Sequence, residues 1–325
     1  KTTQSLVNTH SDPNQIYSFF NDTQGRDVIH KGKYEMKRDD LAGKNSSMIF
    51  ISLNPYSNNS NTTTRTYDFQ GTVDLIGHNN PASSQILIGI EHQFLGSGYS
   101  ILKNSGTINL KSGNNIVGIQ IDTEGRHNKG ETINAGTINI SSERSIGIDY
   151  GYYYSDAPHT DVQLGKINVN GSNNYGFRMR YYPTSDYYDL TNVSGANGII
   201  NVGGNNNIGV SIAQGASSGD PISKINALNI LVGGTNNIGF YRNSDSLPAG
   251  LNTGAMILNS SRLGSTFNFD STATSSALIR SDVHEVILDK DITVGATGVK
   301  NALMQAGNDG KVTLASGKTI TSTTA

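Results

Sequence analysis

Residues 136–150 of the chain read GTINISSERSIGIDY, which is a short strand pattern, a polar turn and an Ile-Gly-Ile strand. The same order of features recurs along the sequence. The glycines at the centre of the repeated triplet, which has an apolar residue on each side, are Gly89, Gly118, Gly147, Gly176, Gly209 and Gly239. They are separated by 29, 29, 29, 33 and 30 residues. A nearly constant period is typical of repeat architectures, in which each copy is one structural unit.

The repeated unit has the periodicity of a β-strand. Polar and apolar residues alternate in Thr137, Ile138, Asn139 and Ile140, so one face of this strand is apolar. One such strand cannot bury that face by itself, and stacked copies must therefore share a core. We predict an all-β fold, a right-handed parallel β-helix with rungs of about 22–33 residues and loops along one edge.

The composition excludes several functional classes. The 325 residues include no cysteine, which removes disulfide scaffolds, thiol catalysis and cysteine-ligated zinc. The net charge is −2, which supplies no strong field for nucleic acid or an anionic membrane. The seven histidines show no metal-ligand spacing. We therefore expect no metal, no cofactor and no nucleic-acid partner.

Stacking predicts columns of equivalent residues about 4.8 Å apart. The two inward columns on either side of the glycine are Ile88, Val117, Ile146, Tyr175, Ile208, Ile238 and Ile90, Ile119, Ile148, Phe177, Val210, Phe240. An amide ladder is predicted three residues before the glycine, at Asn115, Asn173, Asn206 and Asn236, with Arg144 at the remaining position. The outward column two residues after it is Glu91, Gln120, Asp149, Arg178, Ser211 and Tyr241. In that column Asp149 and Arg178 are predicted to form an exposed ion pair between rungs, of about 0–1 kcal/mol.

Both ends of the chain depart from the period. Ten of the nineteen residues from 26 to 44 are charged, which favours a polar cap over the first rung. We assign residues 1–66 to an N-terminal capping region and linker, and residues 67–325 to the β-helix. Within it, residues 67–245 form rungs with long loops and residues 246–325 form shorter rungs.

Tyrosine is concentrated in two adjacent loops. Nine of the 15 tyrosines lie between residues 150 and 188, together with arginine and aspartate. Tyrosine and arginine are enriched in recognition hot spots. The predicted ligand-binding residues are Asp149, Tyr152, Tyr153, Tyr154, Arg178, Arg180, Tyr181, Tyr182, Tyr187 and Tyr188. The alternative is that these tyrosines pack the loops against the flank of the coil.

Two other functions remain open from the residues. β-Helices also serve as polysaccharide lyases and hydrolases, which need carboxylates in a groove. The best catalytic set in this sequence is Asp122, Asp149 and Arg178 on neighbouring rungs. The third possibility is a structural shaft whose loops bind nothing.

The repeated GTIN and NNIG pattern, most clearly from Asn134 to Tyr150 and from Asn197 to Ile212, resembles the passenger regions of large type Va autotransporter adhesins of fusobacteria. The segment GKVTLASGKTI at 310–320 is similar to passenger strands of autotransporters in general. The similarity covers about residues 71–325.

This resemblance implies an exported β-helix, displayed outside a Gram-negative bacterium and anchored by a C-terminal outer-membrane barrel beyond this segment. It implies an adhesin that binds host cells or other bacteria. We expect the receptor to be a glycan or a protein, and the segment to be monomeric and non-enzymatic. No binding residue of the family can be carried over, because no ligand motif of the family is visible here. The first 45 residues match no family pattern.

Overall fold

The structure is a computed structural model that describes residues 15–22, 27–38, 47–54, 64–93, 99–122, 129–152, 160–181, 192–214, 225–243, 254–295 and 300–323. In these residues the regular secondary structure is strand, and no helix occurs. In chain order the strands are β1 (Gln15–Asp22), β2 (Val28–His30), β3 (Lys33–Lys37), β4 (Ser47–Asn54), β5 (Arg65–Phe69), β6 (Thr72–Ile76), β7 (Leu87–Gln93), β8 (Tyr99–Asn104), β9 (Thr107–Ser112), β10 (Ile116–Asp122), β11 (Lys129–Asn134), β12 (Thr137–Ile140), β13 (Ile146–Tyr152), β14 (Thr160–Gln163), β15 (Lys166–Val169), β16 (Tyr175–Tyr181), β17 (Asn192–Ser194), β18 (Ile200–Val202), β19 (Ile208–Gln214), β20 (Ile225–Asn226), β21 (Leu228–Val232), β22 (Ile238–Arg242), β23 (Met256–Asn259), β24 (Leu263–Phe269), β25 (Ala277–Asp289), β26 (Ile292–Val294), β27 (Ala302–Leu314) and β28 (Ile320–Ser322).

The strands form parallel sheets, and one rung is one turn of the chain through three of them. The first sheet runs β1-β4-β7-β10-β13-β16-β19-β22-β25, with β23 and β27 both paired to β25. The second sheet runs β2-β5-β8-β11-β14-β17-β20, and the third runs β3-β6-β9-β12-β15-β18-β21-β24. A short pair, β26 and β28, lies in the last two rungs. The predicted parallel β-helix is confirmed.

Equivalent residues lie over one another, as the repeat predicts. Ile138 of β12 pairs with Ile108 on one side and with Ile167 on the other. All three are fully buried in one continuous core. Removing such a side chain from water stabilises the fold by about 1.5–3 kcal/mol, so each rung adds several such contributions.

The repeated glycine lets the first and third sheets approach each other. A Cβ atom on Gly147 would lie 2.5 Å from the carbonyl oxygen of Gly176 and 3.2 Å from Cγ2 of Ile167. This position therefore faces the interior, where a side chain would collide with the backbone of the next rung. The residue after the glycine, such as Ile148, also belongs to the main core.

The residue before the glycine does not join that core, and the prediction of two inward columns was wrong for this one. Ile49, Ile88, Val117 and Ile146 form a separate cluster, and a half-buried Tyr175 packs against it. The glycine and the residue after it both face the interior, so the alternation of a regular strand is interrupted here, and the residue before the glycine packs on the other side of the sheet.

The predicted amide ladder was also misplaced. Asn115, Asn173, Asn206 and Asn236 have φ angles of 60°, 58°, 56° and 55°, and Arg144 has φ 50°. These residues make the tight turn from the third sheet back to the first, a conformation that asparagine tolerates better than most residues.

Two other ladders connect the rungs. In the turns, the buried side chain one position after the positive-φ residue accepts a hydrogen bond from the rung before it. The backbone N–H of Asn174 thus donates to Oδ1 of Asn207 at 2.8 Å. On the outer face of the third sheet, a chain of side-chain amides runs from Asp74 through Asn109, Asn139, Asn168 and Asn201.

The N-terminal part of the chain contains rungs of the same coil. Strands β1 and β4 pair in the first sheet, β2 pairs with β5, and β3 pairs with β6. The sheets thus continue across residue 66 without a break. Part of the charge density falls on exposed alternate positions of β3, namely Lys33, Glu35 and Lys37. The predicted cap and linker, residues 1–66, is described only in part, because residues 1–14, 23–26, 39–46 and 55–63 lie outside the described residues.

The long excursions leave the coil at one corner. Seven segments connect a first-sheet strand to a second-sheet strand, and they are residues 23–26, 55–63, 94–98, 123–128, 153–159, 182–191 and 215–224. The described strands on both sides place the ends of each segment at this corner, here called the loop corner. Near the C-terminus, β25 runs through 13 residues without such an excursion.

Candidate binding site at the loop corner

The predicted outward column exists, and the strands that carry it lead to the loop corner. Backbone pairing aligns Gln120 with Asp149, Asp149 with Arg178, and Arg178 with Ser211. The strands β13 and β16 of this column end in the two tyrosine-rich segments. These two strands therefore connect the rigid sheet to the region that the sequence identifies as the candidate site.

Asp149 and Arg178 form the predicted ion pair between adjacent rungs. Nε of Arg178 donates to Oδ1 of Asp149 at 3.0 Å, and Nη2 donates to Oδ2 at 2.9 Å. This two-point geometry is the strong form of an arginine–carboxylate contact. The expectation of an exposed pair was wrong, because Asp149 is only 3% exposed.

Arg180 adds a second guanidinium group to the same carboxylate. Its Nη2 donates to Oδ2 of Asp149 at 3.2 Å. The residue paired with Arg180 on β13 is Gly151, so no side chain stands between Arg180 and Asp149. Nε of Arg180 is buried and makes no hydrogen bond within the described part of the chain.

Tyr175 belongs to this cluster, although its place in the repeat predicted an interior side chain. The guanidinium carbon of Arg178 lies 5.6 Å from the centre of the Tyr175 ring, within cation–π range. We name Asp149, Arg178, Arg180 and Tyr175 the first arginine cluster. An aromatic residue in an otherwise aliphatic column, three residues before an arginine, was the available sequence signal.

The other predicted site residues are placed only in part. The backbone pairs Tyr152 with Tyr181 at the last positions of β13 and β16, and their side chains are outside the described part. The remaining predicted residues, which also lie outside it, are Tyr153, Tyr154, Tyr182, Tyr187 and Tyr188. Tyr150, from the same tyrosine-rich stretch, is fully buried in the core.

The candidate catalytic set has limited freedom for proton transfer. Both carboxylate oxygens of Asp149 accept hydrogen bonds from guanidinium groups. Asp122 pairs through its backbone with Gly151, and its side chain is outside the described part. This geometry is that of a fixed charge cluster rather than of a free acid or base.

A second cluster of the same residue types lies farther along the same sheet. Nε and Nη2 of Arg280 donate to the two oxygens of Asp282 at 2.8 and 3.2 Å, and the hydroxyl of Tyr241 donates to Oδ2 at 2.7 Å. Burial acts to raise the pKa of the Asp282 carboxyl, but these hydrogen bonds hold the pKa below its usual value. We name these three residues the second arginine cluster. Asp282 falls in the C-terminal rungs, where the period changes, and the repeat pattern did not predict it.

Other polar groups inside the coil are structural. The ring nitrogens of His92 lie 2.9 Å from Oγ1 of Thr132 and 2.7 Å from Oγ of Ser100. Burial lowers the pKa of His92 to about 3, so the imidazole is neutral. Among the described residues, no group of three or more His, Asp or Glu side chains is placed to hold a metal ion.

The chain matches no protein-family model, and it has no significant match among curated proteins or solved structures. Within the described ranges, no helix is long and apolar enough to cross a membrane.

Proposed function

We propose that this chain is a binding segment of a cell-surface adhesin, in which the coil is a rigid support and the loop corner around β13 and β16 contacts the receptor. The observation that carries the proposal is the first arginine cluster, which stands on the two strands that end in the tyrosine-rich segments. The receptor is a glycan or glycoprotein on host cells or other bacteria.

The position of the cluster supports binding in two ways. Arginine and tyrosine supply a large share of the energy of most recognition surfaces. A guanidinium group that is already fixed by a carboxylate loses little conformational freedom when a ligand arrives. Arg178 and Arg180 retain 21% and 27% side-chain exposure, so both reach the surface while Asp149 beneath them does not.

The proposed setting is extracellular, on the outer membrane surface of a Gram-negative bacterium, as part of a type Va autotransporter passenger. This rests on the resemblance of the repeated GTIN and NNIG pattern to fusobacterial adhesins. The proposed role is non-enzymatic, which agrees with an Asp149 carboxylate whose oxygens are both engaged by arginine.

The test replaces Tyr152, Tyr153, Tyr181 and Tyr182 by alanine and measures binding to host cells and to a glycan array. We expect a loss of about tenfold or more, the effect of removing hot-spot residues. The matched control replaces residues 215–224, which leave from the same corner and contain no tyrosine, by a Gly-Ser segment of equal length. Undiminished binding by a folded tyrosine variant would remove this surface from consideration.

A further inference from the structure

The turn after β15 contains one of the two Asn-Gly pairs in the sequence, Asn170-Gly171, and the other pair is Asn197-Gly198. The side-chain amide of an asparagine can be attacked by the backbone nitrogen of the next residue. Glycine permits this attack best, because it has no Cβ atom to obstruct the approach and its backbone is the least restricted. Both asparagines are exposed, so water reaches either site.

The structure distinguishes the two pairs by the hydrogen bonding of the glycine N–H. The N–H of Gly198 donates to the carbonyl oxygen of Gly195 at 2.9 Å, which closes a turn. The N–H of Gly171 makes no hydrogen bond within the part of the chain that the structure describes. The attacking species is the deprotonated nitrogen, and a hydrogen bond to a carbonyl oxygen favours the protonated one. Gly171 is therefore better placed to attack than Gly198.

The side chain of Asn170 is available to meet that nitrogen. It makes no hydrogen bond to any described residue, whereas Asn168, two residues earlier, is held in the amide ladder. The backbone around it is fixed on both sides. The N–H of Asn170 donates to the carbonyl oxygen of Ile140 at 2.7 Å, and the carbonyl oxygen of Gly171 accepts from the N–H of Asn205 at 3.0 Å. The two reacting groups are thus unengaged in an otherwise fixed turn.

We propose that Asn170 is a self-modification site, at which the backbone nitrogen of Gly171 attacks the side-chain amide carbon of Asn170. The new C–N bond closes a succinimide ring, the proton of the attacking nitrogen passes to water, and the side-chain nitrogen takes up a proton and leaves as ammonia. Water then opens the ring at either carbonyl, which gives an aspartyl or an isoaspartyl residue. The net change is the uptake of one water and the release of one ammonia, and it needs no enzyme. This inference does not depend on the proposed function.

The fold can hold the aspartyl product at this position. Backbone pairing of the preceding residues places Asp270, three rungs later, at the position of Asn170. The N–H of Asp270 donates to the carbonyl oxygen of Val232 at 2.8 Å, as that of Asn170 donates to Ile140. The carboxylate of Asp270 accepts from the N–H of Thr272 at 2.7 Å. Aspartate therefore fits this type of turn, whereas an isoaspartyl residue lengthens the main chain between fixed ends.

The experiment incubates the whole chain at mildly alkaline pH and follows both Asn-Gly pairs by peptide mass spectrometry. Conversion of the amide to an acid raises the peptide mass by one mass unit, and fragment spectra locate the change. We expect Asn170 to convert about two- to tenfold faster than Asn197, the rate equivalent of one net hydrogen bond. In the chain unfolded by urea the two rates should be nearly equal, because the fold no longer holds the N–H of Gly198.

Two variants at the same position test the site and its product. Asn170→Ser introduces the residue type of Ser141, which occupies the equivalent position of the preceding rung. It should remove the modified peptide without lowering the melting temperature. Asn170→Asp reproduces the aspartyl product and should melt at the temperature of the unmodified chain, as the turn at Asp270 predicts. A large fall in the melting temperature of Asn170→Asp would overturn the conclusion that the fold holds the product.

Equal conversion of the two pairs in the folded chain would overturn the proposal, because the hydrogen bond of Gly198 would then have no effect on the rate. An unmodified Asn170 in the folded chain, under conditions that convert it in the unfolded chain, would also overturn it. In that case the turn would protect the amide instead of exposing it.

Discussion

Asn109 donates an Nδ2–H bond to Oδ1 of Asp74 on the preceding rung, at 2.8 Å. A carboxylate can only accept, so Asn109 must direct its amino group toward Asp74 and its carbonyl toward Asn139. The same orientation then passes to Asn168 and Asn201, whose Nδ2–O distances are 2.8 and 2.9 Å. One acidic side chain thus sets the direction of four amides.

This directed ladder predicts unequal effects for two exchanges of aspartate and asparagine. Asn139→Asp places a carboxylate where the ladder needs a donor to Oδ1 of Asn109. We expect it to lower the free energy of unfolding by about 1–3 kcal/mol. Asp74→Asn keeps an acceptor for Asn109 and loses chiefly the partly exposed contact with Lys111, so about 0–1 kcal/mol is expected. Urea unfolding of the two variants checks the order, and equal losses would contradict a directed ladder.

The buried His92 predicts a pH dependence of stability. Burial lowers its folded pKa to about 3, whereas in the unfolded chain it keeps the ordinary value of 6.5. Below pH 6.5 the unfolded state binds a proton that the folded state does not, so the free energy of unfolding falls toward pH 3. The contribution approaches about 1.4 kcal/mol per pH unit. Urea midpoints measured from pH 7 to pH 4 give the slope of the unfolding free energy against pH. His92→Gln should lower that slope by the contribution of one proton.

The close approach of Gly147 to the backbone of the neighbouring strand β16 predicts a steric penalty. Gly147→Ala would bring a methyl group to 2.5 Å from the carbonyl oxygen of Gly176. We expect the free energy of unfolding to fall by about 1–3 kcal/mol. Gly295→Ala is the control, because no atom of the described residues other than its chain neighbours lies within 4 Å of its Cβ position, and its effect should stay within about 0.5 kcal/mol. Thermal unfolding compares the two, and a harmless Gly147→Ala would show that the backbone of β16 can move away from β13 at this point.

The turns into the first sheet predict opposite tolerances for two adjacent asparagines. Asn207 is fully buried, accepts from the backbone of Asn174 and donates to the carbonyl of Gly203 at 2.7 Å. Asn207→Ala removes the side-chain partner of the Asn174 N–H and of the Gly203 carbonyl, so we expect the free energy of unfolding to fall by about 2–4 kcal/mol. Asn206 is exposed with φ 56°, and glycine adopts that conformation readily. Asn206→Gly should therefore be nearly neutral in the same denaturation assay, and a large loss would mean that its side chain has a role beyond the turn.

The repeat predicted the core columns and side-chain pairs that follow from one rung lying over the next. The core columns through Ile119 and Ile148 follow from the spacing of the glycines, and so does the pairing of Asp149 with Arg178. The outward direction of Val117 could not be read from alternation, because the interior-facing glycine beside it interrupts the pattern.

The rest of the candidate site depends on geometry that sequence spacing does not contain. Arg180 reaches Asp149 because Gly151 leaves room, which is a diagonal relationship between rungs. Asp282 was not identified because the excursions end before β25 and the period changes there.

The placement of the excursions at one corner has a consequence for protein engineering. Each insertion begins and ends at positions held by strands on both sides, so a guest peptide of a different length can be spliced in without shifting the register of the stack. Guests placed in neighbouring turns would be presented at intervals of about 4.8 Å. The coil could therefore display several epitopes in a row at a regular spacing.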